Sequence, residues 1–215
     1  MTVFFDFDDT LFNTKRFSLA MVEAALVPRG VGWEEFLDGR EQLRRIHSAG
    51  AQYYSLSEHL RILFRGDSDK ARSAEESIYA FVREHAREFV FPDVIEFFTS
   101  NHSGRFLLAT FGEERFQRAK VEGSGISPYL EELFFTDAAG KEDVVCAFAE
   151  TLDPRETFIF VEDKASVVLA VKRLCPRAHC VRIKRTDGRY LDDPTPENCH
   201  EVSTLLELKE LALTL

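Results

Sequence analysis

Thr2-Val3-Phe4-Phe5-Asp6-Phe7-Asp8-Asp9-Thr10-Leu11 is an apolar run that ends in two carboxylates placed two residues apart. Its β-branched and aromatic side chains, with no early breaker, predict a buried strand over residues 2 to 7. Acid at the end of such a strand is costly, because a carboxylate taken from water needs a cation or hydrogen bonds to offset the loss. The pattern therefore points to a metal or phosphate site at the end of the first strand.

Downstream, positions 14 to about 90 lose the strand pattern and become rich in Ala, Glu, Arg and Leu at helical spacing. Helices are predicted over 14–27, 33–48, 55–65 and 70–90, with breaks at Pro28, Gly30, Gly50 and Gly66. Pro92 opens a further helix to about Ser100. Strands and helices then alternate: strands at 105–110, 133–136, 157–162 and 179–184, helices at 113–122, 142–152, 165–174 and 202–213. That alternation predicts an α/β fold with a Rossmann-like parallel sheet covered by helices on both faces. Residues 184–198, with Gly188, Pro194 and Pro196, read as a surface loop.

With 215 residues the chain can bury the core of one enzyme-sized unit, alone or with an insertion. A formal charge of −10 argues against nucleic acid or an anionic membrane as partner, since both are bound mainly through Lys and Arg. No apolar stretch reaches the length of a membrane span and the N-terminus lacks a basic start, so a cytoplasmic location is expected. Cys146, Cys175, Cys180 and Cys199 form no CxxC pair and are expected to be reduced thiols. His179 and His200 flank two of them at spacings that match no common zinc site.

Parallel sheets present ligand sites at the carboxyl ends of their strands. There the chain delivers Asp6 and Asp8, then Thr110-Phe111-Gly112, then Gly140-Lys141, then Glu162-Asp163. So many acids repel one another unless a cation sits among them, and carboxylate oxygens select a hard ion such as Mg²⁺. The lysine and hydroxyl suit a phosphate.

In this order the four segments resemble the haloacid dehalogenase superfamily of phosphohydrolases over the whole chain. Asp6-Phe7-Asp8-Asp9-Thr10-Leu11 matches the first motif, Thr110 the second, Lys141 the third and Glu162-Asp163 the fourth. The third departs from the usual form because Glu142 follows where Pro is frequent. In the fourth, Val167 and Val168 stand where other branches carry a further acid. The resemblance is to the helical-cap branch, similar to phosphoglycolate phosphatase and β-phosphoglucomutase. It implies a core of residues 1–13 and 91–215 and an inserted all-helical cap of 14–90.

The resemblance also implies roles. Asp6 would be the nucleophile, giving an aspartyl-phosphate, and Asp8 the general acid and base. Thr110, the Phe111 N–H and Lys141 would grip phosphate oxygens. Mg²⁺ would be held by Asp6, the Asp8 carbonyl, Asp163 and Glu162. The implied activity is a Mg²⁺-dependent phosphomonoester hydrolase acting on a small phosphorylated metabolite. A phosphomutase on the same scaffold, or a non-catalytic binding protein that kept the fold, are the alternatives. Candidates for the distal end of a substrate are Lys15, Arg16, Arg40, Arg44, Arg45, His47, Tyr53 and Arg61. Asp9 reads as structural or solvent-facing, and Lys120 as a solvated helical residue.

Overall fold

The protein is described from a computed structural model covering residues 1–46, 54–101, 104–136 and 140–215. The apolar opening forms β1 (Thr2–Phe5), buried at every position. It lies inside a sheet with β2 (Arg105–Phe111), β3 (Glu132–Thr136), β4 (Phe158–Glu162), β5 (His179–Ile183) and β6 (His200–Val202). The order is β3-β2-β1-β4-β5-β6 and every pairing is parallel. This is the α/β architecture expected from the sequence.

Strand side chains alternate between two apolar layers, as the two-residue repeat requires. Val3, Phe5, Leu108, Ile159 and Val161 face one layer, and Phe4, Leu107, Ala109, Phe158 and Phe160 face the other. Both faces are covered, which is why the central strands are continuously apolar. The heavy Phe content is spent here: Phe5 meets Phe97 and Phe98 edge-on, and Phe106 packs against all three.

Between β1 and β2 the described residues are mainly helical, beginning with α1 (Thr14–Met21), α2 (Trp33–Ile46), α3 (Leu56–Leu63) and α4 (Ser68–His85). The expected first helix changes pitch, passing through a wider turn at Val22–Leu26 and a tighter one at Val27–Arg29 before Gly30 ends it. The apolar layer runs unbroken from Phe5 and Leu108 into Leu26, Ala74 and Ile78 of this insertion. Then come α5 (Pro92–Ser100), α6 (Glu114–Ser124), α7 (Lys141–Glu150), α8 (Ala165–Leu174) and α9 (Leu205–Ala212).

Two features depart from the sequence reading. A short strand, β6, precedes α9. The stretch 184–198 is not simply a surface loop, because it carries the buried Arg185 and sends Arg189 to Asp9. Arg185 donates to the Thr10 carbonyl at 3.0 Å, the Asp93 carboxylate at 2.8 Å and the Ser203 carbonyl at 3.3 Å. One guanidinium thus ties the turn after β1 to α5 and to the start of α9. Arg185→Met leaves Asp93 buried without its cation, and a loss of about 3–5 kcal/mol is expected in urea denaturation. A loss below about 1 kcal/mol would place this pair with exposed salt bridges.

Candidate active site

The Asp6 N–H extends the sheet ladder by donating to the Val161 carbonyl at 2.9 Å, and the chain then turns. The Phe7 carbonyl accepts from Leu11 and Phe12, both at 3.0 Å, while Asp9 takes a left-handed conformation with φ 57°. Asp tolerates that region better than bulky residues do. The Asp9 side chain is buried, not solvent-facing: it accepts from the Arg189 guanidinium at 2.6 Å and the Thr14 N–H at 3.1 Å. It is therefore a structural residue of the turn.

Around Asp6 the strand ends converge. Asp6, Glu162 and Asp163 are buried and offer carboxylate oxygens all within 4.8 Å of one another. Lys141, the first residue of α7, places its Nζ 2.5 Å from Asp6 and 2.5 Å from Glu162. Thr10 donates to the other Asp6 oxygen at 3.2 Å. Burial first, then Glu162, pushes the Asp6 carboxyl up to about 7 against the pull of Lys141. Asp163 is raised well above the carboxylate range by burial, then by Glu162 and Asp6. Burial would lower Lys141, but its two acids outweigh that and hold it well above the usual lysine range.

Five buried side-chain polar atoms lack a partner among the described residues, and two of them are at the site, Asp163 Oδ2 just after β4 and Thr110 Oγ1 near the end of β2. Such atoms are uncommon in folded proteins, and beside a cluster of acids they are suited to an ion or an oxyanion. A cluster of hard oxygen donors with one open, buried carboxylate oxygen fits a divalent cation of the Mg²⁺ type. The open hydroxyl suits an oxyanion.

Asp8 stands apart from this cluster. Its Oδ1 accepts from Lys120 Nζ at 2.6 Å and Thr14 Oγ1 at 2.6 Å, and its Oδ2 from Gln117 Nε2 at 2.8 Å. Burial would raise Asp8, but the charge of Lys120 and these hydrogen bonds outweigh it and keep the carboxyl well below its ordinary range. Lys120 is thus not a solvated helical residue. It is 3% exposed and paired with Asp8. Gly112 has φ 134°, and a Cβ there would approach Gln117 Nε2 at 3.2 Å, so glycine lets the turn after β2 pass close to that amide.

Asp6, Asp8, Lys141 and Asp163 line one cavity of about 920 Å³, which Arg40 and Tyr54 border from the helical insertion. Tyr54 donates to His59 Nδ1 at 3.0 Å, and His59 Nε2 donates to the Phe36 carbonyl at 3.0 Å. Burial keeps that imidazole neutral, lowered to about 4. Of the basic candidates on the insertion, Arg40 and Arg44 border the cavity, while Lys15, Arg16, Arg45 and Arg61 do not. His47 and Tyr53 lie outside the described residues. The fourth-motif acids have a support that sequence reading missed: Arg182, fully buried in β5, donates to the Asp163 carbonyl at 3.2 Å and to the carbonyls of Tyr190 and Asp193.

A parallel sheet of this order with an acidic cluster at its strand ends has clear relatives. The profile of the haloacid dehalogenase-like hydrolases matches residues 1–174, and the chain belongs to that family. No curated protein matches it significantly by sequence. Its structure is similar to that of a haloacid dehalogenase-like hydrolase from Burkholderia xenovorans, with TM-score 0.73 and 20% identity over 99% of this chain and 96% of the other. It is also similar to the hydrolase YfnB from Bacillus subtilis, solved bound to magnesium, with TM-score 0.69 and 12% identity over 98% and 97%. The L-2-haloacid dehalogenase from Xanthobacter autotrophicus gives TM-score 0.66 and 16% identity over 100% and 98%. The protein is therefore a hydrolase of this family. Among the described residues, no helix is long and apolar enough to cross a membrane.

Proposed function

We propose that this protein is a Mg²⁺-dependent phosphomonoester hydrolase acting on a small phosphorylated metabolite through an aspartyl-phosphate. The observation that supports it best is the pairing of an open acidic cluster at Asp6, Glu162 and Asp163 with a separate carboxylate, Asp8, in the same cavity. A halide leaves without a proton, so dehalogenation needs no general acid at Asp8, and the acids would repel the carboxylate of a halo acid. An ester oxygen must be protonated as it leaves.

In this reading Asp6 attacks phosphorus and Asp8 protonates the leaving oxygen, then takes a proton from the water that frees phosphate. Lys141, Thr110 and the Phe111 N–H hold the phosphoryl oxygens. Asp6, the Asp8 carbonyl, Glu162 and Asp163 would hold Mg²⁺, which neutralises phosphoryl charge when bound. The helices of 14–90 act as a cap that keeps bulk water from the covalent intermediate. A cytoplasmic location accords with such a substrate. A phosphomutase would return the phosphoryl group to a sugar hydroxyl, so free phosphate released without a bisphosphate intermediate excludes it.

The test is a phosphate-release panel of sugar phosphates, nucleoside monophosphates and phosphoglycolate, with and without EDTA, with Asp6→Asn as control. Release that stops with EDTA is expected; metal-independent turnover contradicts the proposal.

A further expectation concerns pH. An acid whose folded carboxyl is raised from 3.8 to about 7 stabilises the fold below the lower value and loses that contribution as pH rises through the upper one. A bound cation favours the anion instead. Mg²⁺ at roughly 100 times its Kd adds about 2.7 kcal/mol, on the order of 5–10 °C in Tm for a chain of this size. That shift is expected in full at pH 8 and much reduced at pH 5. Equal shifts at both would contradict it.

A further inference from the structure

Lys120 is a buried cation inside an aromatic box. Its side chain is 4% exposed, its Nζ lies 5.4 Å from the ring centres of Phe7 and Phe116 and 5.7 Å from that of Phe12, and its anionic partner among the described residues is Asp8. A lysine that merely packed its stem would carry its ammonium out to water. Here desolvation is accepted and a single acid compensates it. Gln117, one turn earlier on α6, donates from the same amide nitrogen to Asp8 Oδ2 at 2.8 Å and to the Phe111 carbonyl at 2.7 Å. Both oxygens of Asp8 are thereby fixed from α6, the helix that follows Thr110 and Phe111.

We propose that Lys120, assisted by Gln117, is a positioning residue that sets the orientation of the Asp8 carboxylate, which takes up a proton from the bound phosphate monoester monoanion and passes it to the leaving oxygen. The proposal rests on the phosphatase reading above. Of the groups assigned to the chemistry, Lys120 is bonded to Asp8, and its effect is expected to pass through that residue. It follows that Lys120 matters most when the leaving oxygen most needs a proton, and matters little once Asp8 can no longer give one.

The experiment compares Lys120→Met, Lys120→Arg and Gln117→Leu with the wild type on p-nitrophenyl phosphate, which leaves easily, and on the best alkyl phosphate of the panel. A well-placed general acid contributes about 10²–10⁴-fold, so Lys120→Met is expected to lower kcat about 100-fold on the alkyl ester and about 10-fold or less on the aryl ester, with KM within about 3-fold. Lys120→Arg is expected to recover most of the loss, and Gln117→Leu to show the same ester dependence at smaller size. In an Asp8→Asn background, Lys120→Met should add less than about 3-fold. Should Lys120→Met fail to fold in a melting curve, Lys120→Arg and Gln117→Leu carry the comparison. Equal losses on both esters, or full multiplication with Asp8→Asn, overturn the positioning role and leave the phosphatase reading standing. A wild type that releases phosphate from neither ester overturns that reading, and the role of Lys120 falls with it.

Discussion

Asp6→Asn is expected to remove at least about 10⁴-fold of the turnover while leaving the fold intact. An amide cannot form the acyl-phosphate, and the remaining groups cannot replace it. Yet the same change takes one charge out of a crowded buried cluster. Above pH 7 the Asp6 carboxylate is held ionised against burial and the repulsion of Glu162, so an isosteric neutral group relieves the fold. Lys141 keeps Glu162 as its partner at 2.5 Å. At pH 8 without metal, Tm is expected to match or exceed that of the wild type. Lost activity with a lower Tm would mean that Asp6 serves the fold and not the chemistry.

Lys141→Met is the converse. The lysine is the cation bonded to both Asp6 and Glu162, and without it three buried acids face one another. Stripping a buried charge cluster of its counter-ion costs about 3–5 kcal/mol, so urea denaturation at pH 8 should show a loss of that size. The loss should shrink as pH falls through 7 toward 4, where Asp6 takes up its proton, and Mg²⁺ should restore part of it at pH 8. A loss that does not change with pH would assign Lys141 a packing role alone. Activity is expected to fall with either ester, because in the proposed mechanism Lys141 would hold the phosphoryl oxygens and not the leaving group.

Much of this was legible in the amino-acid order. Local chemistry marks β1, because an apolar β-branched run needs two covered faces, and it marks the acids at strand ends, because buried charge needs compensation. Asp6, Lys141, Glu162 and Asp163 do meet, as the parallel arrangement requires, and Asp8 borders the same cavity. The long cations were not legible. Lys120 and Gln117 sit on a helix whose buried side also carries Phe116, Val121 and Ser124. Polar residues interrupt the apolar stripe there, so periodicity cannot reveal which face docks. The partner of Lys120 is 112 positions away.

Arg182, Arg185 and Arg189 were hidden for a related reason. Each bonds to carbonyls or acids that distant segments bring in, Arg182 to the Asp163 carbonyl, Arg185 to the Thr10 carbonyl and Asp93, and Arg189 to Asp9, and flexible side chains of that length leave no spacing signature. Of the two roles open to Asp9 in the sequence, structural or solvent-facing, its left-handed backbone and its arginine select the first. β6 has three residues, too few for a two-residue repeat to stand out.

The most direct measurement is mass spectrometry of acid-quenched Asp8→Asn protein incubated with p-nitrophenyl phosphate and Mg²⁺. The aryl group leaves without an acid, but water then lacks its base, so the covalent species should accumulate. A phosphoryl adduct on the peptide that holds Asp6, absent when Asp6 is also changed to Asn, is the expected result. Continued ester hydrolysis with no adduct at Asp6, or an adduct elsewhere, would contradict nucleophilic catalysis by Asp6.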